Sequence, residues 1–175
     1  MCLYCSSCTS SSSLGGHHEG RAALDHLKVA VLRPDLDPAG REFLPVEEFH
    51  DPEMTPAQWE AEALRMTWYG AFVEDALVGV MGLEYAKDTA LLRHAYVLVE
   101  YQRGGVGTRL REHLEAQVRG VRRIIVGTYR ANYKARRMLE RAGYTLSSDP
   151  EAVLRTYYAI PEDRLKSSVT YEKSP

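Results

Sequence analysis

The sequence predicts an α/β domain, because strand-like and helix-like patterns alternate along most of the chain with short connections between them. Of its 175 residues, 45% are hydrophobic and 26% are charged, which is typical of one soluble globular domain. The 22 basic and 24 acidic residues give a net charge of −2, which favours neither nucleic acid nor an anionic membrane as a partner. No apolar run approaches the roughly 20 residues that span a bilayer. We therefore expect a cytoplasmic protein.

The first 20 residues differ in composition from the rest of the chain. They are rich in Ser, Gly and Cys, and we expect a disordered leader at 1–20, followed by a single domain at 21–175. The potential metal ligands of this leader are Cys2, Cys5, Cys8, His17 and His18. The C-x2-C-x2-C spacing is found in some iron–sulfur sites, but no fourth cysteine follows it. We expect no bound metal, and a metal or redox function stays as an alternative.

The first part of the domain begins with a strand and then loses its regular pattern. Apolar residues alternate in KVAVLR (28–33), which predicts a first strand. The segment 34–54 is rich in proline and acidic residues, so we expect an irregular connection that borders a binding site. Thr55 is a suitable N-cap with Pro56 at the first helical position, which predicts a helix to about Met66.

Three β-rich runs follow this helix. The runs 67–73 and 77–86 are separated by a short acidic turn, which predicts an antiparallel hairpin. The next run, 91–99, predicts a further strand. Arg93 and His94 are adjacent in it, so a regular strand places their side chains on opposite faces.

A glycine cluster, QRGGVG, separates the strand 91–99 from a helix. An apolar residue recurs every fourth position in that helix, and Gly120 is placed to end it. The residues of this stripe are Val106, Leu110, Leu114 and Val118. Glycines allow close approach of a ligand to the backbone, and a helix N-terminus favours an anion such as a pyrophosphate. The pattern therefore predicts a phosphate-binding loop.

The end of the chain continues the alternation. The run 122–130 predicts a strand, and Asn132 is a suitable N-cap for a helix that ends at Gly143. The tail from Val153 is expected to contribute the last strand.

The spacing in the glycine loop excludes two common nucleotide-binding motifs. A P-loop requires a lysine after its last glycine, and a Rossmann fingerprint requires a glycine where Leu110 stands. In contrast, QRGGVG fits Q/R-x-x-G-x-G/A and so resembles the acyl-CoA pyrophosphate loop of the GNAT acetyltransferase superfamily. The downstream residues Asn132, Ala135, Gly143 and Tyr144 also resemble the N-x-x-A and G-[FY] positions of that family.

The resemblance implies a GNAT fold, with a mixed and mostly antiparallel sheet of about six to seven strands, flanked by helices. It also implies that the strands at 91–99 and 122–129 splay apart and that the pantetheine arm of acetyl-CoA lies between them. Homodimers are common in the family, so a homodimer is one expected assembly. The implied acetyl-CoA contacts are Val97, Leu98, Val99, Gln102, Arg103, Gly104, Gly105, Val106, Gly107, Thr108 and Asn132.

The implied reaction is transfer of the acetyl group of acetyl-CoA to a primary amine of a small molecule or a peptide. The amine must lose a proton, and Glu84 and His94 are the candidate bases. In many family members a tyrosine protonates the leaving thiolate, but Leu139 occupies that position here. Tyr129 and Tyr133 are the candidate substitutes. Because of Leu139, a non-catalytic acyl-CoA-binding module is the alternative function.

Overall fold

Seven strands form one mixed sheet in the computed structural model, which describes residues 27–32, 60–61, 63–158 and 160–175. The strands are β1 (Lys28–Leu32), β2 (Thr67–Val73), β3 (Ala76–Ala86), β4 (Thr89–Val97), β5 (Arg123–Tyr129), β6 (Thr145–Leu146) and β7 (Ser168–Lys173). Their order in the sheet is β1-β2-β3-β4-β5-β7-β6. Among these described strands, β4 and β5 form the one parallel pair, and every other pairing is antiparallel. The mostly antiparallel sheet is therefore confirmed.

Helices cover both faces of this sheet. They are α1 (Val106–Gln117), α2 (Tyr133–Arg141), α3 (Pro150–Tyr157) and α4 (Glu162–Leu165). Leu110 and Leu114 of α1 and Leu139 of α2 are buried in the larger core on one face. Leu154 of α3 and Leu165 of α4 are buried in a smaller core on the opposite face. None of the helices in the described part of the chain is long and apolar enough to cross a membrane.

Local sequence signals account for the buried face of α1 and for the start of α2. The predicted stripe of α1 is confirmed, because Val106, Leu110, Leu114 and Val118 are all buried. The predicted N-cap of α2 is also confirmed, since the main-chain N–H of Ala135 donates to Asn132 Oδ1 at 3.1 Å.

The structure corrects the predicted strand at 91–99. Strand β4 begins earlier, at Thr89, and ends at Val97, and a 3-10 turn at Val99–Tyr101 follows it. The tail contributes the strand β7 as expected, and it also contains most of α3 and all of α4. Asp149 caps α3 by accepting from the N–H of Ala152 at 3.0 Å, and an N-cap Asp followed by proline is a local signal that sequence reading could have used.

The predicted helix at 55–66 lies mostly outside the described residues, as do the leader at 1–20 and the irregular segment 34–54. Its described end is helical at Glu60, Ala61 and Ala63, and a turn follows at Leu64. The helix therefore ends about three residues before Met66.

Candidate active site

The glycine loop connects the end of β4 to the first turn of α1. Gln102 anchors its start, because the side-chain Nε2 donates to the main-chain oxygen of Val97 at 3.1 Å. Arg103 and Gly105 both adopt left-handed backbone conformations, with φ values of 64° and 89°. Only glycine adopts this region without strain. The loop thus turns sharply and starts the helix at Val106.

This turn leaves the N-terminus of α1 open for a ligand. Gly105 is the N-cap, and no side chain bonds to the first turn of the helix there. In the described stretch 102–109, the N–H of Gln102 donates to Val99 O, and the next main-chain N–H that donates to a main-chain oxygen is that of Arg109, which bonds to Gly105 O at 3.0 Å. The earlier N–H groups and the helix dipole favour an anion. A Cβ added at Gly105 would meet no atom within 4 Å, so this position faces open space.

A basic cleft of about 610 Å³ extends from the loop along the groove between α1 and α2. Its charged lining residues are Arg103, Arg111, Glu112, Lys134, Arg137 and Arg141. Five of these six side chains are basic, so the cleft has the charge that a ligand with several phosphates requires. The contribution of α2 was not predicted from the sequence. The sequence does contain a pattern for it, because Lys134, Arg137 and Arg141 have the i, i+3, i+7 spacing that places basic side chains on one helix face.

A gap separates β4 from β5 beyond their first four residue pairs. Pairing starts at Thr89 with Arg123 and ends at Leu92 with Val126, although β4 continues to Val97 and β5 to Tyr129. The expected splay of the two central strands is confirmed. The edge of β4 that faces this gap has lost its strand partner, so its main-chain groups can bond to an extended ligand.

A β-bulge in β4 shapes the same region. Val80 pairs with Tyr96 and Gly82 pairs with Arg93, so Met81 of β3 faces two residues of β4. His94 adopts φ of 50°, which is uncommon for a residue other than glycine. The bulge bends the strand and re-aims its side chains.

The bulge overturns the expectation that Arg93 and His94 point to opposite faces. Leu92 and Ala95 both belong to the larger core. Arg93 stacks over the ring of Tyr158 in the smaller core, at 5.1 Å from its centroid, and His94 lies 5.8 Å from Trp68. Because Trp68 is adjacent to Tyr69 of the larger core, it faces the opposite side. Arg93 and His94 therefore share the face covered by α3 and α4.

The two candidate bases have different surroundings on this face. Glu84 is buried and ion-paired, since Oε2 lies 2.7 Å from Arg93 Nη1 and Oε1 lies 3.2 Å from Arg65 Nε. His94 is 3% exposed and packs between the rings of Trp68 and Tyr96. The ion pairs give Glu84 a structural role, whereas His94 lies at the bulge, in the part of β4 that no longer pairs with β5.

The residues proposed for the acid step lie apart from one another. Tyr133 is 67% exposed on the first turn of α2, where its ring contacts Arg136. Tyr129 is the last residue of β5, and it is half-buried. Leu139 is completely buried in the larger core. A tyrosine at position 139 would overfill that core, so Leu139→Tyr does not simply restore the tyrosine of the family.

The remaining predicted contacts surround the gap and the loop. Val97 is half-buried at the end of β4, and Val99 is 58% exposed in the 3-10 turn. The N–H of Leu98 donates to Val78 O at 3.0 Å, so this amide serves the sheet. The described residues contain no group of three or more His, Cys, Asp or Glu side chains that could hold a metal. The leader cysteines lie outside them.

The chain is similar to known acetyltransferases in sequence pattern and in fold. A family model described as the acetyltransferase (GNAT) family matches residues 32–144. A GNAT family acetyltransferase from Elizabethkingia anophelis with acetyl-CoA bound shares 14% identity at a TM-score of 0.65, with 86% of this chain and 99% of that chain covered. An acetyltransferase from Bacillus subtilis in complex with CoA shares 20% identity at a TM-score of 0.62, with 85% and 99% covered. A comparison with curated proteins gives no significant match.

Proposed function

Because the chain belongs to the GNAT acetyltransferase family, we propose that it transfers the acetyl group of acetyl-CoA to a primary amine of a small molecule or a peptide in the cytoplasm. One observation carries this proposal. The open N-terminus of α1 at Gly105 meets both the basic cleft and the gap between β4 and β5. A ligand with a pyrophosphate and an extended arm fits this combination, and acetyl-CoA has both.

The binding roles follow from the geometry of the loop. Backbone N–H groups from Arg103 to Thr108 bind the pyrophosphate, and the side chains of the basic cleft neutralise the phosphates. The pantetheine arm pairs with the free edge of β4 in the manner of an added strand. Asn132 acts here as the N-cap of α2, and it holds that helix beside the cleft.

The chemical roles belong to the face on which His94 lies. The amine attacks the thioester carbonyl carbon, and the tetrahedral intermediate carries a negative charge on oxygen. A main-chain N–H on the edge of β4 that faces the gap stabilises that charge. His94 accepts the proton of the amine, directly or through a water molecule. We favour His94 over Glu84 because both carboxylate oxygens of Glu84 are engaged by guanidinium groups.

A non-catalytic acyl-CoA-binding module is the second candidate function. The observation in its favour is Leu139, which replaces the usual tyrosine with a buried side chain that cannot donate a proton. Such a module retains the loop and the cleft but does not release CoA.

One assay separates the two functions. The full-length chain is incubated with acetyl-CoA and a panel of small primary amines and peptides, and the released thiol is titrated. An acetyltransferase releases one thiol for each acetylated amine. Thermal stabilisation by acetyl-CoA without thiol release with any amine identifies the binding module. If acetyl-CoA causes neither stabilisation nor thiol release, both proposed functions are wrong. Light scattering on the same sample checks the expected homodimer.

A further inference from the structure

A tyrosine outside the family motifs, Tyr158, lies across the start of the gap between β4 and β5. Its ring packs under the guanidinium of Arg93, at 5.1 Å from Arg93 Cζ to the ring centroid. Its hydroxyl lies beside the main chain of Gly127. Arg93 and Gly127 are the first residues of β4 and β5 after the last pair, Leu92 with Val126. The tyrosine therefore reaches from one strand to the other at the point where they separate.

The hydroxyl of Tyr158 is buried without a normal hydrogen bond. The residue is 5% exposed, and no group in the described part of the chain bonds to this oxygen with standard geometry. A buried hydroxyl without a partner is costly, and native proteins rarely leave one. The hydroxyl lies beside Gly127, the first residue of β5 after its last pair with β4, so a ligand that enters between the two strands would supply the missing partner.

We propose that Tyr158 donates a hydrogen bond to the sulfur of CoA as the thiolate leaves. This inference rests on the proposed acetyl transfer, because it assigns a residue to the departure step. The C–N bond to the amine forms, the C–S bond breaks, and sulfur keeps the electron pair. The proton of Tyr158 stays on its oxygen and stabilises the thiolate, which later takes a proton from solvent.

The surroundings of Tyr158 suit donation of a hydrogen bond better than complete proton transfer. Burial raises the pKa of Tyr158, although Arg93 and the main chain of Gly127 act in the opposite direction. The phenol thus stays protonated at neutral pH and remains a donor. Hydrogen bonds to charged groups are stronger than those between neutral groups. The contact therefore strengthens as charge develops on sulfur, which is the requirement for catalysis.

The test compares the affinities of CoA and acetyl-CoA for Tyr158→Phe and for the unchanged protein between pH 7 and pH 9. This range spans the ordinary thiol pKa of about 8.5. We compare the dissociation constant of the variant with that of the unchanged protein. For CoA this ratio is expected to rise by about tenfold between pH 7 and pH 9, whereas for acetyl-CoA it should stay near one. Acetyl-CoA has no titrating thiol, so it serves as the internal reference. At saturating acetyl-CoA, kcat of the variant is expected to fall by about tenfold to a hundredfold.

Two other variants make the result specific. Tyr171→Phe removes the hydroxyl of a buried tyrosine that bonds to Arg136 and Glu140, so it should lower the melting temperature without changing either ratio. Thr128→Val removes a second buried hydroxyl without a partner among the described residues, in the part of β5 that pairs with β7 but no longer with β4. A pH-dependent ratio in Thr128→Val instead of Tyr158→Phe assigns the contact to Thr128 and overturns the proposal.

The remaining outcomes also decide the question. A flat CoA ratio in a folded Tyr158→Phe variant overturns the proposal while the transferase function stands. Loss of folding in this variant also overturns it, because a hydroxyl without a partner is not needed for stability. Failure of the unchanged protein to bind either CoA or acetyl-CoA contradicts the proposed function itself.

Discussion

At the scale of single residues, two left-handed backbone positions shape the candidate site. Gly105 has φ of 89° at the start of α1, and His94 has φ of 50° in the bulge of β4. The first opens the helix N-terminus to an anion, and the second brings an imidazole to the same face as Arg93. Both conformations cost free energy for most side chains. Substitutions at these two positions therefore test whether the unusual backbone serves ligand binding or catalysis.

Gly105→Val is expected to abolish acetyl-CoA binding in a protein that still folds. The new side chain meets no protein atom within 4 Å, so it projects into the space that the phosphate would occupy. The left-handed backbone adds strain of about 1–2 kcal/mol. Gly120→Val is the matched control, because Gly120 has φ of 71° and equally open surroundings. Calorimetric affinities of the two variants check this prediction, and equal binding by both would refute it.

His94→Asn is expected to lower kcat by about a hundredfold or more, because the variant lacks the proposed general base. Asparagine is chosen since it tolerates the left-handed backbone at this position. The acid limb of the pH–rate profile should disappear, and the KM for acetyl-CoA should change little.

Glu84→Gln is the companion variant for the base assignment. It weakens the ion pair of the buried Arg93 guanidinium, so it should lower the stability by about 3 kcal/mol. It should keep the acid limb of the pH–rate profile. The assignment to His94 is wrong if Glu84→Gln loses this limb and His94→Asn retains it.

At the scale of elements, α1 is fixed to the sheet by a partly buried polar cluster around Glu115. The carboxylate of Glu115 accepts from Arg111 Nη1 at 2.6 Å, from the Tyr144 hydroxyl at 2.8 Å and from Lys173 Nζ at 2.8 Å. Lys173 is the last residue of β7. The cluster thus ties the helix that follows the glycine loop to the C-terminal strand.

Glu115→Gln is expected to lower the free energy of unfolding by about 2 kcal/mol at pH 7. Burial opposes ionisation of Glu115, but hydrogen bonds from Lys173, Arg111 and Tyr144 hold its pKa below the ordinary 4.5. Because the pKa of Glu115 is lower in the folded state, its ionisation stabilises the folded protein above pH 4.5. This stabilisation is lost as the pH falls through the pKa of Glu115 in the folded state. The difference between variant and unchanged protein should therefore close in acid.

Denaturant unfolding at pH 7 and at pH 3 measures this difference. Glu112→Gln is the matched control, because Glu112 contacts the same Arg111 from an exposed position. It should change stability little at either pH. A difference for Glu115→Gln that persists unchanged at pH 3 would contradict an ionised carboxylate in the cluster.

We propose that the basic cleft makes α2 a part of the acetyl-CoA site. Arg137→Glu is expected to weaken acetyl-CoA binding by about tenfold or more, because it replaces a charge-assisted contact with repulsion. It should also reduce the dependence of affinity on salt. Lys166→Glu has the same change in charge at an exposed position outside the cleft, and it should leave affinity unchanged. Titration at two salt concentrations checks both variants, and equal affinity losses would exclude a specific role for the cleft.

At the scale of the whole molecule, we propose that residues 21–175 form the functional domain and that the leader is dispensable. The leader has few apolar side chains to offset the backbone entropy of ordering, which is about 1–2 kcal/mol per residue. Deletion of residues 1–20 should leave the melting temperature and acetyl-CoA affinity unchanged. Metal analysis of both forms tests the alternative metal site, since metal bound only by the longer form would support it. A fall of many degrees in melting temperature would show that the leader contributes to the fold.

Features that depend on neighbouring residues could be predicted from the sequence. The four-residue period of α1, the N-cap at Asn132 and the spacing of the glycine loop are local, and the structure places them as expected. The hairpin of β2 and β3 also followed from two β-rich runs and a short turn. Such features are encoded by side-chain period and backbone preference over a few residues.

Which distant side chains meet at the candidate site depends on how the elements pack, so these contacts could not be predicted from the sequence. The bulge at His94 depends on the register between β3 and β4, and it reversed the face expected from simple alternation. The ion pairs of Glu84, the basic cleft between α1 and α2, and Tyr158 across the gap each join segments that are distant in sequence or lie on different elements. Local period carries no information about these contacts, because they are fixed by the packing of whole elements against both faces of the sheet.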